Sequence, residues 1–272
     1  MQHRVNVGRR MSVARVYPLF SSSRGNATFF GSRKGGILVD AGVSFKRLSQ
    51  AMRDCDLDVS AIKGVFITHE HSDHVKGLKV LTKNTGVTIY GQGKTLRTLI
   101  DNEIIHSSSQ ILEINSAINV ADMEVTAFDT PHDSVQSCGY RIRTEDGKTC
   151  ALCTDLGHIT KTVEENLLGC DLVLIESNYD DKMLSTGNYP PYVKSRIRSK
   201  HGHLSNESCA EQVSKLIQTG TTRFILSHLS QENNTADIAE RVVISRLEQF
   251  QRNRDYILQI APVQTRGEMV VF

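Results

Sequence analysis

The feature that most constrains this chain is a histidine-rich segment directly after a short apolar run. Residues 64–67 are apolar and predict a buried strand, and residues 69–74 then have the pattern H-x-H-x-D-H. Alternate side chains of an extended segment point the same way, so His69 and His71 can reach one metal ion. The chain then turns into Asp73 and His74, which can reach a second ion. Imidazole and carboxylate groups suit zinc, manganese or iron, so the segment predicts a site for two divalent ions.

Further ligand-type residues follow predicted strands in the same way. His132, Asp155 and His228 come after the predicted strands over residues 124–129, 149–154 and 223–227, and Asp40 ends the strand over 36–40. Ligand sites of layered α/β folds lie where strands end, so these side chains are expected to meet at one edge of the fold. That edge would hold His69, His71, Asp73, His74, His132, Asp155, His228 and Asp40.

Predicted strands and helices follow one another in two similar halves. Strands are predicted over residues 13–20, 28–32, 36–40, 63–68 and 87–90, and then over 124–129, 137–143, 149–154, 172–176, 223–227, 256–260 and 269–272. Helices are predicted over residues 44–53, 77–83, 94–100, 189–197, 206–218 and 236–249. Two sheet-rich halves flanked by helices predict the α/β class, as a four-layer αββα sandwich. Residues 1–11 are expected to form a flexible extension, and residues 12–272 a single domain.

Composition limits where such a chain works and what it binds. The 272 residues carry a net charge of +2, which is too small to indicate a nucleic-acid partner without a local basic patch. The N-terminus is basic and lacks the apolar core of a secretion signal, and no apolar run is long enough to cross a membrane. We therefore expect a cytoplasmic protein whose six cysteines stay reduced. Cys150 and Cys153 lie on one predicted strand and face opposite ways, so they are not expected to share a metal ion.

The order of the ligand-type residues resembles the motifs of the metallo-β-lactamase superfamily, from about residue 13 to the final helix. The resemblance implies the metallo-β-lactamase sandwich and a dinuclear hydrolase. It implies one ion on His69, His71 and His132, a second ion on Asp73, His74 and His228, and Asp155 as the carboxylate that bridges them together with a water or hydroxide. Asp40 would hold a ligand or its loop in place.

Further segments resemble the WalJ family, also called YycJ or VicX, within that superfamily. They are the polar residues 20–28, the strand end at 175–180, the helix start at 202–206, and residues 227–230 and 232–234. That family is similar to the nucleases of the ribonuclease Z and β-CASP type, although this chain has no long inserted cap domain. The resemblance implies hydrolysis of a nucleic acid, DNA rather than RNA, by 5′-to-3′ exonuclease action.

Phosphodiester hydrolysis also requires a proton for the leaving alkoxide. Two cations can clamp a phosphate and supply hydroxide at neutral pH, but the departing oxygen needs a proton donor or a metal. His203 is the candidate donor, and Glu176, at a strand end, could keep it charged. The alternative is that His203 only caps its helix or lines the cleft. Together with Asp73, these two residues complete the predicted catalytic set.

A basic stretch before His203 is a candidate for contacting the substrate backbone. Residues 194–200 contain four basic side chains, of which Arg196 and Arg198 are the proposed phosphate contacts. A solvated helix face would explain the same charges. Any stacking on a base would fall to Tyr179 or Tyr192.

A polar segment near the N-terminus is a second candidate for contacting the substrate. Ser22, Gly25 and Asn26 could offer hydroxyl and backbone N–H groups to a terminal phosphate. The alternative is that these residues form a simple turn.

Two other functions fit the same metal ligands. Polarisation of a carbonyl by the same ions would hydrolyse a thioester or a lactone, as in enzymes related to glyoxalase II. The other alternative is a regulatory binding module without catalysis, although packing alone would not require an intact set of ligands. The sequence leaves open the native metal, DNA versus RNA, exonuclease versus endonuclease action, and the oligomeric state.

Overall fold

The computed structural model of the protein describes residues 15–32, 34–106 and 108–272. Within these residues the strands form two seven-stranded sheets. The first contains β1 (Arg15–Ser22), β2 (Gly25–Ser32), β3 (Gly35–Val39), β4 (Ile62–Ile67), β5 (Ile89–Gly91), β6 (Ile111–Glu113) and β14 (Val270–Val271), in the order β14-β1-β2-β3-β4-β5-β6. The second contains β7 (Ile118–Val120), β8 (Met123–Asp129), β9 (Cys138–Thr144), β10 (Thr149–Cys153), β11 (Leu172–Glu176), β12 (Arg223–Ser227) and β13 (Ile257–Ile260), in the order β13-β12-β11-β10-β9-β8-β7.

Helices connect the strands on both sides. They are α1 (Phe45–Asp54), α2 (Ser72–Val75), α3 (Leu78–Thr85), α4 (Gly93–Asp101), α5 (Lys161–Leu167), α6 (Asp181–Thr186), α7 (Pro191–Ile197), α8 (Asn206–Gln218) and α9 (Ala236–Arg246), with a short 3₁₀ turn at Val59–Ala61. Ser44, the first residue of the helix predicted over 44–53, caps α1, because its Oγ accepts a hydrogen bond from the backbone N–H of Arg47 at 3.4 Å.

Buried apolar side chains form one core between the sheets and one outside each sheet. In β4, Phe66 points into the inner core, whereas Val65 and Ile67 point out toward the helices of the first half. The ring of Phe66 meets Tyr140 of the second sheet edge-on, with 5.6 Å between ring centroids. Val213 of α8 packs into the outer core of the second half. Side chains that alternate along each strand thus serve two cores, and the predicted four-layer αββα sandwich is confirmed.

The cysteines of the chain are packing residues. All six lie in the described part of the chain, where they are buried and unpaired. Cys150 lies in the core between the sheets and Cys153 in the outer core of the second half. The prediction that these two face opposite ways is confirmed.

The strands that precede the predicted site residues run in one direction within each sheet. β3 and β4 are parallel neighbours, and so are β10, β11 and β12. Directly after three of these strands, Asp40, Asp155 and His228 have a left-handed backbone, with φ of 61°, 57° and 56°. Aspartate and histidine are among the non-glycine residues found most often in this conformation. It turns the chain sharply, so the three side chains stay at the sheet edge instead of continuing along the strand.

The segment over residues 20–28, predicted as a polar loop, is instead a β-hairpin. β1 continues to Ser22 and β2 begins at Gly25, so only two residues form the turn. The hydroxyl of Ser21 accepts a hydrogen bond from the backbone N–H of His228 at 2.7 Å, which satisfies this polar residue inside a buried strand. The sequence patterns also miss α5, α6, β6 and β7, which are too short to show a clear hydrophobic period.

Among the described residues, no helix has both the length and the apolar character needed to span a bilayer. The cytoplasmic location stays a prediction. The predicted flexible extension over residues 1–11 lies outside the described residues, and the extent of the single domain over 12–272 also stays a prediction.

Candidate metal centre

The seven predicted ligands lie together at the edge where the strands end, six of them in two sets of three and Asp155 between the sets. In one set the ligand atoms of His69, His71 and His132 lie within 4.8 Å of one another, and in the other set those of Asp73, His74 and His228 do the same. Each set takes two residues from the segment after β4 of the first sheet and one from a loop of the second sheet. The two sheets therefore share both sets of ligands.

Asp155 lies between the two sets. Its Oδ2 is 3.2 Å from Nε2 of His74, whereas its Oδ1 is 3.7 Å from Nε2 of His132. The carboxylate is only 2% exposed, and its Oδ2 has no hydrogen-bond partner within the protein. Two oxygens that face different sets of ligands are the arrangement that a bridging carboxylate requires.

The donor atoms of the histidines fit a metal ion. Nε2 of His69, His132 and His228 is buried without a hydrogen-bond partner, which would cost each group about 1–3 kcal/mol if nothing else bound there. The opposite nitrogen, Nδ1, is engaged in each case, by the Thr68 hydroxyl at 3.0 Å, the Gly202 carbonyl at 3.0 Å and the Glu176 carboxylate at 2.8 Å. A proton held on Nδ1 leaves the lone pair on Nε2, as ligation requires.

Asp40 holds His74 from behind. Its Oδ2 accepts hydrogen bonds from Nδ1 of His74 at 2.8 Å and from the Thr68 hydroxyl at 2.9 Å, and its Oδ1 accepts one from the backbone N–H of Thr68 at 2.9 Å. The ring of His74 is thereby fixed with Nε2 toward Asp155. Asp40 therefore lies behind the predicted ligand His74, and its predicted role of holding a ligand in place stays a prediction.

Burial and neighbouring charges shift the pKa values of the candidate ligands in opposite directions. Burial lowers the pKa of His69 and of His132, so both rings favour the neutral form. Burial alone would raise the pKa of Asp155, but the charges of His228 and His74 hold it well below the usual range. Burial alone would lower the pKa of His228, but the charge of Asp155, the Asp73 carboxylate 3.7 Å from Nε2 and the hydrogen bond to Glu176 raise it to about 10. A proton must therefore leave His228 when its Nε2 binds a metal.

Glu176, at the end of β11, joins His203 to a metal ligand. The side chain is fully buried, and its Oε1 accepts hydrogen bonds from Nδ1 of both His203 and His228 at 2.8 Å. Its Oε2 accepts from the backbone N–H groups of Leu156 and Leu204, each at 3.0 Å. Burial alone would raise the pKa of Glu176, but the charge of His203 and the two histidine hydrogen bonds lower it to about 2. The contact between Glu176 and His228 was not expected from the sequence.

His203 stands at the mouth of the centre. Its ring lies between the rings of His132 and His228, with centroid separations of 5.2 and 5.4 Å, and its side chain is 17% exposed. Burial alone would lower the pKa of His203, but the charge of Glu176 and the hydrogen bond to it raise the pKa. Because Nδ1 is bonded to Glu176, Nε2 is the nitrogen that remains for a substrate. His203, Glu176, Asp155 and His228 also form a group of possible ligands, but hydrogen bonds to Glu176 already engage both rings.

The predicted contacts near the N-terminus lie behind the metal ligands. Nδ2 of Asn26 is 3.2 Å from Oδ2 of Asp73 and 3.0 Å from Nε2 of His74, and its Oδ1 accepts from the backbone N–H of Ser22. Ser22 and Gly25 are buried as well. Asn26 thus supports the second set of ligands, which the sequence did not indicate. The predicted contact of these three residues with substrate stays a prediction.

The two candidate arginines point in different directions. Nε of Arg196 lies 2.5 Å from Oδ2 of Asp133, whose Oδ1 is 3.4 Å from Nε2 of His132. Arg198 instead binds Asp181 of α6 at 2.9 Å. Of these two residues, only Arg196 borders the metal centre.

The close approach at Gly42 gives a test of how the centre is held. A Cβ there would lie 1.6 Å from the carbonyl oxygen of Asp73, so we expect Gly42→Ala to displace this ligand and to weaken metal binding about 10- to 100-fold, the range found when supports of metal ligands are removed. Competition with a chromogenic chelator measures this affinity. Gly35→Ala is the matched control, because its Cβ would approach the flexible Lys63 side chain to 3.3 Å and the Ala61 carbonyl oxygen only to 3.9 Å. Equal affinities in the two variants would contradict the expectation.

Comparison with known proteins agrees with this geometry. A profile of the Beta-lactamase superfamily domain matches residues 36–229. The chain is 32% identical over 235 residues to the exodeoxyribonuclease WalJ of Streptococcus pneumoniae, covering 85% of this chain and 87% of that protein. It is 34% identical over 234 residues to the exodeoxyribonuclease YycJ of Bacillus anthracis, covering 85% and 88%. The metallo-β-lactamase fold protein YhfI from Bacillus subtilis superposes with a TM-score of 0.71 at 15% identity, covering 93% of this chain and 98% of that one.

The matched region contains every strand end that carries a candidate ligand. The fold and the candidate metal centre therefore place this chain in the metallo-β-lactamase superfamily. The two relatives narrow this class further. Within the superfamily, the chain belongs to the WalJ family, which is also called the YycJ family. The resemblance noted in the sequence is therefore confirmed.

Proposed function

We propose that this chain is a metal-dependent exonuclease that hydrolyses DNA from its 5′ end. The observation that carries the proposal is the position of His203, whose Nδ1 is hydrogen-bonded to Glu176 at 2.8 Å beside two sets of candidate metal ligands. An alkoxide is a poor leaving group, so a phosphodiesterase benefits from such a proton donor. The relatives named as exodeoxyribonucleases support DNA as the substrate.

We propose that the centre binds two divalent ions, zinc, manganese or iron. His69, His71 and His132 would hold one ion and Asp73, His74 and His228 the other, with Asp155 shared between them. Bound ions of this kind stabilise charge on a phosphate and provide hydroxide at neutral pH. Three buried Nε2 atoms without partners support this assignment.

The protein groups have separate tasks in this mechanism. Asp73 is the more exposed of the two ligand carboxylates, at 22% against 4% for Asp155, so it faces the cleft and can accept a hydrogen bond from the attacking water. His203 donates a proton from Nε2 to the leaving oxygen and later regains one from solvent. Glu176 keeps the charged ring in place, because Nδ1 stays bonded to its carboxylate throughout.

The same proton donor bears on the thioester alternative. A thiolate leaves readily without protonation, since its pKa is about 8.5. A thioester hydrolase would therefore gain little from His203 and Glu176.

Labelled oligonucleotides test the proposal directly. The protein, loaded with manganese or zinc, is incubated with 5′-labelled single- and double-stranded DNA and with RNA of the same sequence. We expect short products to be released from the 5′ end of DNA, and Asp73→Ala to abolish this release. An inactive metal-loaded protein, or cleavage that survives Asp73→Ala, would overturn the proposal.

Arg196 is proposed to bind a backbone phosphate next to the scissile bond. Arg196→Ala should raise KM for DNA about three- to tenfold at low salt and leave kcat nearly unchanged, because one phosphate contact is lost. The slope of log affinity against log salt should fall by about one. Arg198→Ala is the matched control, since Arg198 is bound to Asp181 and Ser185 away from the centre. Identical salt slopes for both variants would rule out this contact.

A further inference from the structure

The helix α7 has one face that the fold leaves exposed. Val193 and Ile197 pack into a small apolar cluster with Tyr179 and Leu184. On the other side, Tyr192 is 75% exposed and the Arg196 side chain is 56% exposed. Residues four apart on a helix lie on the same face, so Tyr192 and Arg196 are neighbours on that exposed side.

Polar contacts fix α7 at both sides. Nζ of Lys194 donates to the carbonyl of Ser185 at 2.7 Å, and Arg198 binds Asp181, so the helix is fastened to α6. Arg196 is fastened to Asp133, next to the ligand His132. The exposed face of α7 is therefore held in a defined position beside the metal centre. Tyr192 lies one turn, about 6 Å, before Arg196 along the helix axis.

The exposure of Tyr192 has no explanation in packing. It is the most exposed large apolar side chain in the described part of the chain. Tyr179, the other candidate for stacking, is only 7% exposed inside the cluster below α7 and offers no free ring face. Grooves that bind single-stranded nucleic acids combine exposed aromatic rings with basic side chains along the backbone path. Tyr192 and Arg196 provide this pair.

We propose that Tyr192 and Arg196 form a subsite for one unpaired nucleotide of the substrate, with the ring of Tyr192 on the base and Arg196 on a phosphate beside it. This inference rests on the proposed nuclease function and specifies the substrate further. A base inside a duplex already has neighbours on both faces. The strand that lies over α7 must therefore be single-stranded at this nucleotide.

Substitution of Tyr192 tests the stacking. Tyr192→Ala should raise KM for a single-stranded oligonucleotide about tenfold, within the range that alanine substitution gives for one stacked base. Tyr192→Phe keeps the ring and should behave like the wild type. Neither variant should change kcat, or the turnover of bis(p-nitrophenyl) phosphate, which has no base to stack. An unchanged KM in Tyr192→Ala would overturn the inference.

Abasic substrates locate the contact. Each nucleotide of the oligonucleotide is replaced in turn by an abasic residue, and KM is measured for the wild type and Tyr192→Ala. We expect one position at which the abasic residue raises KM of the wild type about tenfold and leaves KM of Tyr192→Ala unchanged. The variant already lacks the ring on which that base would stack. Identical abasic profiles for the two proteins would overturn the inference. Failure of the proposed function looks different, since the wild type itself would then cleave no DNA.

Discussion

Asp155→Asn should reduce phosphodiester hydrolysis by about 10³-fold or more. The two carboxylate oxygens face different sets of ligands, at 3.2 Å from His74 and 3.7 Å from His132. Asparagine has almost the same shape, but it replaces one oxygen with an N–H donor and removes the negative charge. The metal content of the purified variant should fall below that of the wild type. Steady-state kinetics and elemental analysis of the same preparations measure both effects.

Asp171→Asn is the matched control for this experiment. Asp171 lies directly before the first residue of β11, at the end of the strand away from the metal centre. There it binds Lys148 at 2.7 Å and accepts a hydrogen bond from the backbone N–H of Thr149. The same chemical change there should leave activity and metal content unaltered. An Asp155→Asn protein that keeps its full metal content and a tenth of its activity would show that this carboxylate does not bridge the two sets.

His203→Ala should slow DNA hydrolysis about 10²- to 10⁴-fold and barely affect bis(p-nitrophenyl) phosphate. The alkoxide released from DNA needs a proton, which Nε2 of His203 is proposed to supply, whereas p-nitrophenolate leaves without one. Metal content should stay at the wild-type level, because His203 is bonded to Glu176 and belongs to neither of the two proposed sets of ligands. The ratio of the two rates therefore separates a proton donor from a ligand.

Two further variants sharpen this result. His158→Ala is the control for loss of a histidine, since Nδ1 of His158 lies 3.0 Å from the carbonyl oxygen of Lys200 and His158 belongs to neither proposed set of ligands. Glu176→Gln should slow both substrates, because Glu176 also holds the proposed ligand His228. Equal losses on both substrates in His203→Ala would assign His203 to structure or metal binding instead of proton transfer.

The sequence predicts the fold and the candidate ligands well because both depend on local patterns. Apolar residues that alternate along β4 mark a strand between two cores, and a ligand-type residue next to the strand end marks the edge. The same reasoning places Asp40, His132, Asp155 and His228 at the ends of other strands. Each of these predictions needs only a few neighbouring residues, so no knowledge of long-range contacts is required.

The residues that hold the candidate ligands in place could not be predicted from the sequence, because they are distant from those ligands in the chain. Ser21 and Asn178 hold the backbone of His228 from 207 and 50 residues away. Helical periodicity separates Arg196 from Arg198, but it does not reveal which of them faces the metal centre. That depends on Asp133 and Asp181, which only the folded chain brings to the two sides of α7.

The sharing of both ligand sets between the two sheets has a consequence for how the protein folds. Neither half of the chain supplies a full proposed ligand set on its own, because, with Asp155 counted, each half offers two of the four ligands of each ion. If ions bind as proposed, they would bind tightly only after the halves have docked, and the free energy of metal binding would add directly to the stability of the docked state. An ion bound here would act as a cross-link between distant parts of the chain. Its effect on stability would be similar to that of a disulfide bond in a secreted protein.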